Sequence, residues 1–257
     1  MNTSTTLNKN NTISPGPYHL LLVWLILIGL FSMIAIITWY EGLLVLVYAT
    51  DKSYLCYVIT LLFLIVLVHC ARRIYYLSTQ LMNSKEVERL IRSNPDVSLH
   101  MAGREVHLNG EQALPDCVVT DFIHDLLQKG KNKNTETDEN HPVTDLIEVY
   151  QSKLKGPHEF GWYSADLMLK LGLLGTIIGF ILMLGSVANI TDFDVTTMQS
   201  ILRNMGNGMG TALYTTLAGL VFSILTTSQY HMLDRTVDEL IEITKHLTQV
   251  YILPRIN

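Results

Sequence analysis

The stretch GMGTALYTTLAGL, residues 208–220, lies inside an apolar block long enough to cross a bilayer, yet eight of its thirteen residues are Gly, Ala or Thr. A helix that faced only lipid would need none of these residues, because lipid tails are as apolar as leucine. Gly and Ala let neighbouring helix backbones approach closely, and threonine hydroxyls can bond a backbone or replace part of an ion's hydration shell. The stretch therefore predicts a membrane helix with one face turned towards other helices or an ion pathway.

The composition of the whole chain is that of a polytopic membrane protein. Of its 257 residues 49% are hydrophobic and 16% are charged, whereas a soluble domain has about a quarter of its residues charged. The net charge of −5 argues against a nucleic-acid-binding protein, which usually carries a basic face. The three cysteines, Cys56, Cys70 and Cys117, show neither metal-ligand nor disulfide spacing, and we interpret them as small apolar side chains.

Four apolar blocks have roughly the 20 residues that a membrane helix needs. We predict four transmembrane helices at 19–40, 53–71, 164–188 and 208–228. The remaining segments are an N-terminal tail, a short outer loop, a polar segment, an outer connector and a C-terminal helix, at 1–18, 41–52, 72–163, 189–207 and 229–257. Helical patterns in the polar segment predict a helical extension of the membrane helices, interrupted by the charged loop QKGKNKNTETDENHP (128–142), which we expect to be mobile.

The basic residues predict the orientation of these helices. Of the 18 lysines and arginines, 11 lie in the segment 72–163, whereas the two outer segments hold only Lys52 and Arg203. Cytoplasmic loops carry the excess of basic residues in membrane proteins. We therefore expect both termini and the segment 72–163 in the cytoplasm.

The last two predicted membrane helices have a small, hydroxyl-bearing face, unlike the first two, which are bulky nearly throughout. Residues three and four apart share a helix face, and this spacing groups the following small residues: Gly172, Gly175, Thr176 and Gly179 on one helix and Gly208, Thr211, Ala212, Thr215, Thr216 and Gly219 on the other. Tight helix packing explains the glycines. The threonines fit either packing or an ion pathway, and the residues alone leave both open.

Asp, Glu, His and Arg are missing from the middle of every predicted span. A proton or sodium carrier normally needs such a residue at depth, so if this chain conducts ions, another protein must supply the carboxylate. Enzyme motifs such as H-E-x-x-H and G-x-S-x-G are also missing. We therefore expect no enzyme, no bound metal and no cofactor.

Two segments of the chain together resemble the paired signature of the MotA/TolQ/ExbB proton channel family: LKLGLLGTIIGFILML (169–184) and, after a short outer segment, GNGMGTALYTTLAGLVFSI (206–224). The resemblance implies an ion-driven motor of the bacterial inner membrane, built as a homopentamer whose two small-faced helices line a central pore. It also implies two copies of a single-span partner of the MotB/TolR/ExbD kind, which supplies the aspartate that takes up the ion.

The resemblance also assigns roles to single residues. Thr176 and Thr216 correspond to the family's pore threonines, and Thr215 stands where sodium-driven stators carry threonine, so we expect protons and keep sodium open. Thr211 replaces a glutamate of the TolQ and ExbB branch, which has three spans, so the four-span layout resembles that of the stators. The expected pore-face packing residues are Gly172, Gly175, Gly179, Gly208, Gly210, Thr211, Ala212 and Gly219. The alternative is a non-conducting structural or assembly protein with tightly packed membrane helices.

Overall fold

The computed structural model describes residues 19–93, 99–102, 105–108, 112–131, 142–188 and 194–253. The predicted N-terminal tail and most of the predicted mobile loop lie outside the described residues. Four helices among the described residues are long and apolar enough to cross a membrane. Together with the composition, these helices establish a multi-pass membrane protein.

The first membrane helix, α1, runs from His19 to Tyr40 and is followed by a tight turn. Gly42 adopts a left-handed backbone conformation in this turn, with φ of 72°, which glycine reaches without a steric penalty. A short helix, α2 (Leu43–Thr50), occupies most of the predicted outer loop. The loop is therefore shorter than the sequence suggested, because its apolar middle folds as a helix.

The next helix, α3, runs from Leu55 to Ser93, and the carboxylate of Asp51 stabilises its beginning. That carboxylate accepts hydrogen bonds from the Ser53 backbone N–H at 2.9 Å, the Ser53 hydroxyl at 2.6 Å and the Cys56 backbone N–H at 2.8 Å. Burial raises the pKa of Asp51, but these hydrogen bonds outweigh burial and hold its pKa below the ordinary value. Asp51 thus acts as a charged cap for the start of α3.

Helices α3, α5 and α6 continue without a break from the membrane into the polar part of the chain. Helix α5 extends from Pro142 to Ala188, and α6 from Val195 to Leu247, with a π-helical turn, Thr248–Ile252, after it. At a rise of about 1.5 Å per residue, α5 is about 70 Å long and α6 about 80 Å, well beyond the thickness of a bilayer. The predicted boundaries at 72, 164, 208 and 229 therefore fall inside continuous helices.

A small antiparallel sheet interrupts the polar segment, which the sequence analysis expected to be helical. Its strands are β1 (Leu99–Ala102), β2 (Glu105–Leu108) and β3 (Gln112–Ala113), in the order β1-β2-β3. Helix α4 (Val118–Lys131) follows, and Val106 of the sheet is buried in the same core as Phe122 of α4. The strands are too short for their period-two pattern to stand out from the surrounding residues.

Ion pairs connect the polar parts of α3, α5 and α6. Glu239 of α6 pairs with Lys85 of α3 at 2.8 Å, and Asp238 of α6 pairs with Lys155 of α5 at 2.8 Å. The buried core of this region includes Leu77, Leu154 and Val237, one from each of the three helices. The polar region is therefore a packed extension of the membrane bundle.

Candidate functional site

The glycines of α5 and α6 let the two helices touch at the level of their backbones. A Cβ atom built on Gly179 would lie 2.6 Å from the Gly208 carbonyl oxygen and 2.7 Å from the Cβ of Ala212. A Cβ atom on Gly219 would lie 2.7 Å from the Met168 carbonyl oxygen and 2.9 Å from the Cα of Gly172. These distances are shorter than real Cβ contacts, so any larger residue would push the helices apart.

Thr215 fills the space that Gly175 leaves between the same helices. The side chain of Thr215 is fully buried, at 0% exposure, and a Cβ on Gly175 would lie only 2.1 Å from its hydroxyl oxygen. The hydroxyl donates to the Thr211 carbonyl oxygen at 2.9 Å, with the Ala212 carbonyl oxygen at 3.1 Å. Within the chain, Thr215 therefore packs between α5 and α6, and its hydroxyl is hydrogen-bonded. Its assignment to the ion pathway stays a prediction.

Two residues of the expected pore-face packing set, Thr211 and Gly210, contact Thr50 of α2 within the chain, and their pore-face role stays a prediction. The Thr211 hydroxyl donates to the Thr50 carbonyl oxygen at 2.8 Å, with the Asn207 carbonyl oxygen at 3.1 Å. A Cβ atom on Gly210 would lie 2.9 Å from the Cγ2 of Thr50. The outer part of α6 is therefore tied to α2, a contact that the sequence pattern alone did not reveal.

Thr176 and Thr216 are only partly buried, and the pocket beside Thr176 and the hydrogen bond of Thr216 to α5 place both along the groove where α5 and α6 meet. The Thr216 hydroxyl bonds across the helix pair to the Gly172 carbonyl oxygen at 3.0 Å, and that of Thr176 bonds within α5 to the Leu173 carbonyl oxygen at 2.6 Å. Thr176 also lines an open pocket of about 480 Å³ that includes Ala212 of α6. These are the predicted ion-pathway threonines that remain accessible from outside the helix pair.

The groove with Thr176 and Thr216 lies away from the first membrane helices. On α6, Phe222 packs against Phe31 of α1 and Phe63 of α3, with ring centroids 6.3 and 4.6 Å apart. Thr216 lies six residues before Phe222, on a different side of the helix at 100° per residue. Among the described residues, Thr216 therefore lies about 120° around α6 from the face that packs on α1 and α3.

A buried polar network connects α3, α5 and α6 beyond the apolar part of α5. His158 is 1% exposed, and its Nε2 accepts a hydrogen bond from Arg73 Nε at 3.3 Å. Because arginine can only donate, His158 must carry its proton on Nδ1, which lies 2.5 Å from Asp234 Oδ1. The other carboxylate oxygen of Asp234 accepts from Trp162 Nε1 at 3.1 Å. A neutral histidine thus bridges a cation of α3 and an anion of α6.

Tyr230 adds a second connection beside this network. Its side chain is fully buried, its hydroxyl lies 2.8 Å from His69 Nδ1 of α3, and its ring covers Gly161, where a Cβ would lie 2.0 Å from the ring. Sequence reasoning missed both groups of residues. The sequence feature that could have revealed them is residues at helical spacing that share one face of each helix. These residues are His158, Gly161 and Trp162 on α5 and Tyr230 and Asp234 on α6.

Residues 120–246, about half of the chain, match the family described as the MotA/TolQ/ExbB proton channel family. The chain belongs to this family. No curated protein and no solved structure gives a significant match. The resemblance seen in the sequence is therefore confirmed at the level of the family.

The family region contains every residue to which the sequence analysis assigned a site. It begins within α4 and ends near the C-terminus of α6, so α5, α6 and the groove between them belong to the part shared with MotA/TolQ/ExbB proteins. Proteins of this family generally work in membrane complexes with a partner of the MotB/TolR/ExbD kind. Helices α1 and α2 and all of α3 lie outside the matched residues.

Proposed function

We propose that this chain is the pore-forming subunit of an ion-driven motor in the bacterial inner membrane. Five copies would surround two copies of a single-span MotB/TolR/ExbD-like partner, with both termini of each copy in the cytoplasm. A cation, most simply a proton, would move down the membrane gradient through an aspartate of the partner. The flux would turn the pentamer around the partner and so perform mechanical work.

The observation that carries this proposal is the pair of accessible threonines on two family-matched helices whose apolar parts carry no charged residue. Residues 171–188 and 208–228 contain no Asp, Glu, His, Lys or Arg. Thr176 and Thr216 offer hydroxyl oxygens at the open groove but no site that could itself bind and release a proton near neutral pH. To transfer a proton, such a groove would need a carboxylate from another protein.

The energy available suits small rigid movements. One elementary charge that falls through 100 mV releases about 2.3 kcal/mol. That is sufficient to bias the rotation of one packed unit against another, but too little to separate helices packed as closely as α5 and α6. We therefore expect each copy to move as a rigid body, with the α5–α6 contacts intact.

A non-conducting structural protein is the second candidate, and the α5–α6 interface favours it. Gly172, Gly179, Gly208 and Gly219 are all used in packing within one chain, so their presence requires no pore. Tight packing alone would explain these residues, but it would not explain why Thr176 and Thr216 remain accessible.

The double substitution Thr176→Val and Thr216→Val distinguishes the two candidates, because it removes both hydroxyls and nearly conserves the side-chain volume. Proton uptake would be measured in inverted membrane vesicles from cells that make the complete native complex, at a fixed membrane potential. The matched control is Thr38→Val, since Thr38 lies on α1 with its hydroxyl bonded to its own helix at the Ile34 carbonyl oxygen, at 2.8 Å. A motor subunit should lose uptake in the double variant and keep it in the control.

Uptake that is equal in the double variant and in the control would refute the proposed ion pathway. Copurification from the same membranes tests the partner. The proposal expects a single-span protein with an aspartate in its span, and pulldowns that consistently contain no such protein would support the structural alternative.

A further inference from the structure

A pocket of about 530 Å³ opens between α3 and α5 at the end of the predicted span 53–71. Ile65, Val68, Arg72 and Tyr76 of its lining lie on one face of α3, three or four residues apart. The first two are apolar and the next is a cation, so the polarity of this face changes from one turn to the next. With the predicted span 53–71, the boundary between hydrocarbon and headgroups passes through this pocket.

The polar end of the pocket carries two positive charges, and its lining includes no carboxylate among the described residues. Arg73 is held in place by hydrogen bonds from its guanidinium to His158 Nε2 and to the Leu154 carbonyl oxygen. Its guanidinium also lies 5.1 Å from the ring centroid of Tyr76. Arg72 is exposed and has no hydrogen-bond or ion-pair partner within the described part of the chain. The pocket thus presents one positioned guanidinium beside one that is free to bind an anion.

The other end of the pocket is suited to an acyl chain. Ile65 and Val68 are 52% and 59% exposed, and Ile65 lies about 10 Å below Arg72 along the helix axis. An amphiphile with a negative phosphate and a hydrocarbon tail matches both ends of the pocket, whereas an inorganic anion matches only one. Basic pockets between membrane helices bind anionic headgroups, and the guanidinium fork suits phosphate oxygens.

We propose that this pocket binds one anionic phospholipid, with its phosphate between Arg72 and Arg73 and an acyl chain along Ile65 and Val68. The bound lipid would lie beside the junction where α3, α5 and α6 are joined through His158, because Arg73 takes part in both. This inference depends on the membrane placement of α3 and not on ion transport.

Native mass spectrometry of the full-length protein, purified in detergent and titrated with phosphatidylglycerol or phosphatidylcholine, tests the proposal. We expect the wild-type protein to bind phosphatidylglycerol more tightly than phosphatidylcholine. Arg72→Gln should weaken phosphatidylglycerol binding about tenfold, the effect of losing one charge-assisted hydrogen bond. Arg203→Gln is the matched control, because Arg203 is also exposed and lies in the first turns of α6, on the predicted outer side of the membrane. It should leave the affinity unchanged.

Three results would overturn the proposal. The first is equal binding of the two lipids by the wild-type protein, and the second is an equal loss of affinity in Arg72→Gln and Arg203→Gln. The third is complete displacement of phosphatidylglycerol by inorganic phosphate at equal concentration, which would mean that the apolar end contributes nothing. Lipid affinity tests the lipid site, whereas ion flux tests only the motor proposal. Failure of the lipid site and failure of the motor proposal are therefore distinguishable.

Discussion

Gly179→Ala is the most direct test of the close approach of α5 and α6. The new Cβ would lie 2.6 Å from the Gly208 carbonyl oxygen and 2.7 Å from both the backbone nitrogen and the Cβ of Ala212. Two of these atoms belong to the backbone, so no change of side-chain rotamer relieves the clash. The helices must move apart, and the backbone contacts between them must loosen.

Two opposing effects set the size of the change in unfolding free energy. Overpacking of a close-packed interior costs about 1–3 kcal/mol, whereas replacing glycine by alanine inside a helix gains up to about 1 kcal/mol. Gly185→Ala is the matched control, since Gly185 lies on the same helix and a Cβ there has no neighbour within 4 Å. The helix-propensity gain is common to both variants, so Gly179→Ala should be less stable than Gly185→Ala by about 1–3 kcal/mol.

The assay is reversible unfolding in mixed micelles of a mild detergent and SDS, followed by far-ultraviolet circular dichroism. Adding Ala212→Gly to Gly179→Ala removes one of the three clashing atoms, the Ala212 Cβ, and should restore part of the lost stability. Equal unfolding free energies for Gly179→Ala and Gly185→Ala would show that α5 and α6 are not packed at backbone contact, and would refute the argument.

Three further predictions concern other parts of the chain. Asp51→Ala should lower the unfolding free energy by about 0.5–2 kcal/mol at pH 7. Because the pKa of Asp51 is lowered in the folded state, the stabilisation by its carboxylate is complete above the ordinary pKa and disappears as the pH falls through the pKa of the folded state. The unfolding free energies at pH 7 and pH 3 should therefore differ less in the variant than in the wild-type protein. His158→Ala leaves buried polar groups without partners and should lower the unfolding free energy by about 1–3 kcal/mol, measured by thermal unfolding in detergent, with His231→Ala, at an exposed position, as a near-neutral control. A role of Thr215 in selecting sodium predicts that proton uptake at fixed membrane potential depends on sodium in wild-type vesicles and no longer does so in Thr215→Ala vesicles. Wild-type uptake that is insensitive to sodium would remove the argument for sodium.

The family and the membrane character were predictable from the sequence because they depend on local patterns. Apolar blocks, small residues at helical spacing and the paired signature around Gly175 and Thr216 all lie within continuous stretches of chain. The confirmed family match covers the same region. The pentamer, the cation and the partner's aspartate stay predictions, because each depends on molecules outside this chain.

The sequence did not predict which threonine is buried between α5 and α6 and which remains accessible. Thr215 and Thr216 are neighbours in the chain, but a rotation of 100° per residue buries the first under Gly175 and leaves the second at the groove. Which of the two is buried depends on where α5 lies, and no local pattern specifies that position.

The sequence by itself determined the membrane class, the four spans and the small faces of α5 and α6, because hydrophobicity and helical periodicity are properties of the chain alone. Only the tertiary structure decided that Gly179 meets Gly208, and that His158 joins Arg73 to Asp234. Residues separated by up to 205 positions, Trp24 and Gln229, come within hydrogen-bond distance in this structure, and such contacts follow from how long helices pack.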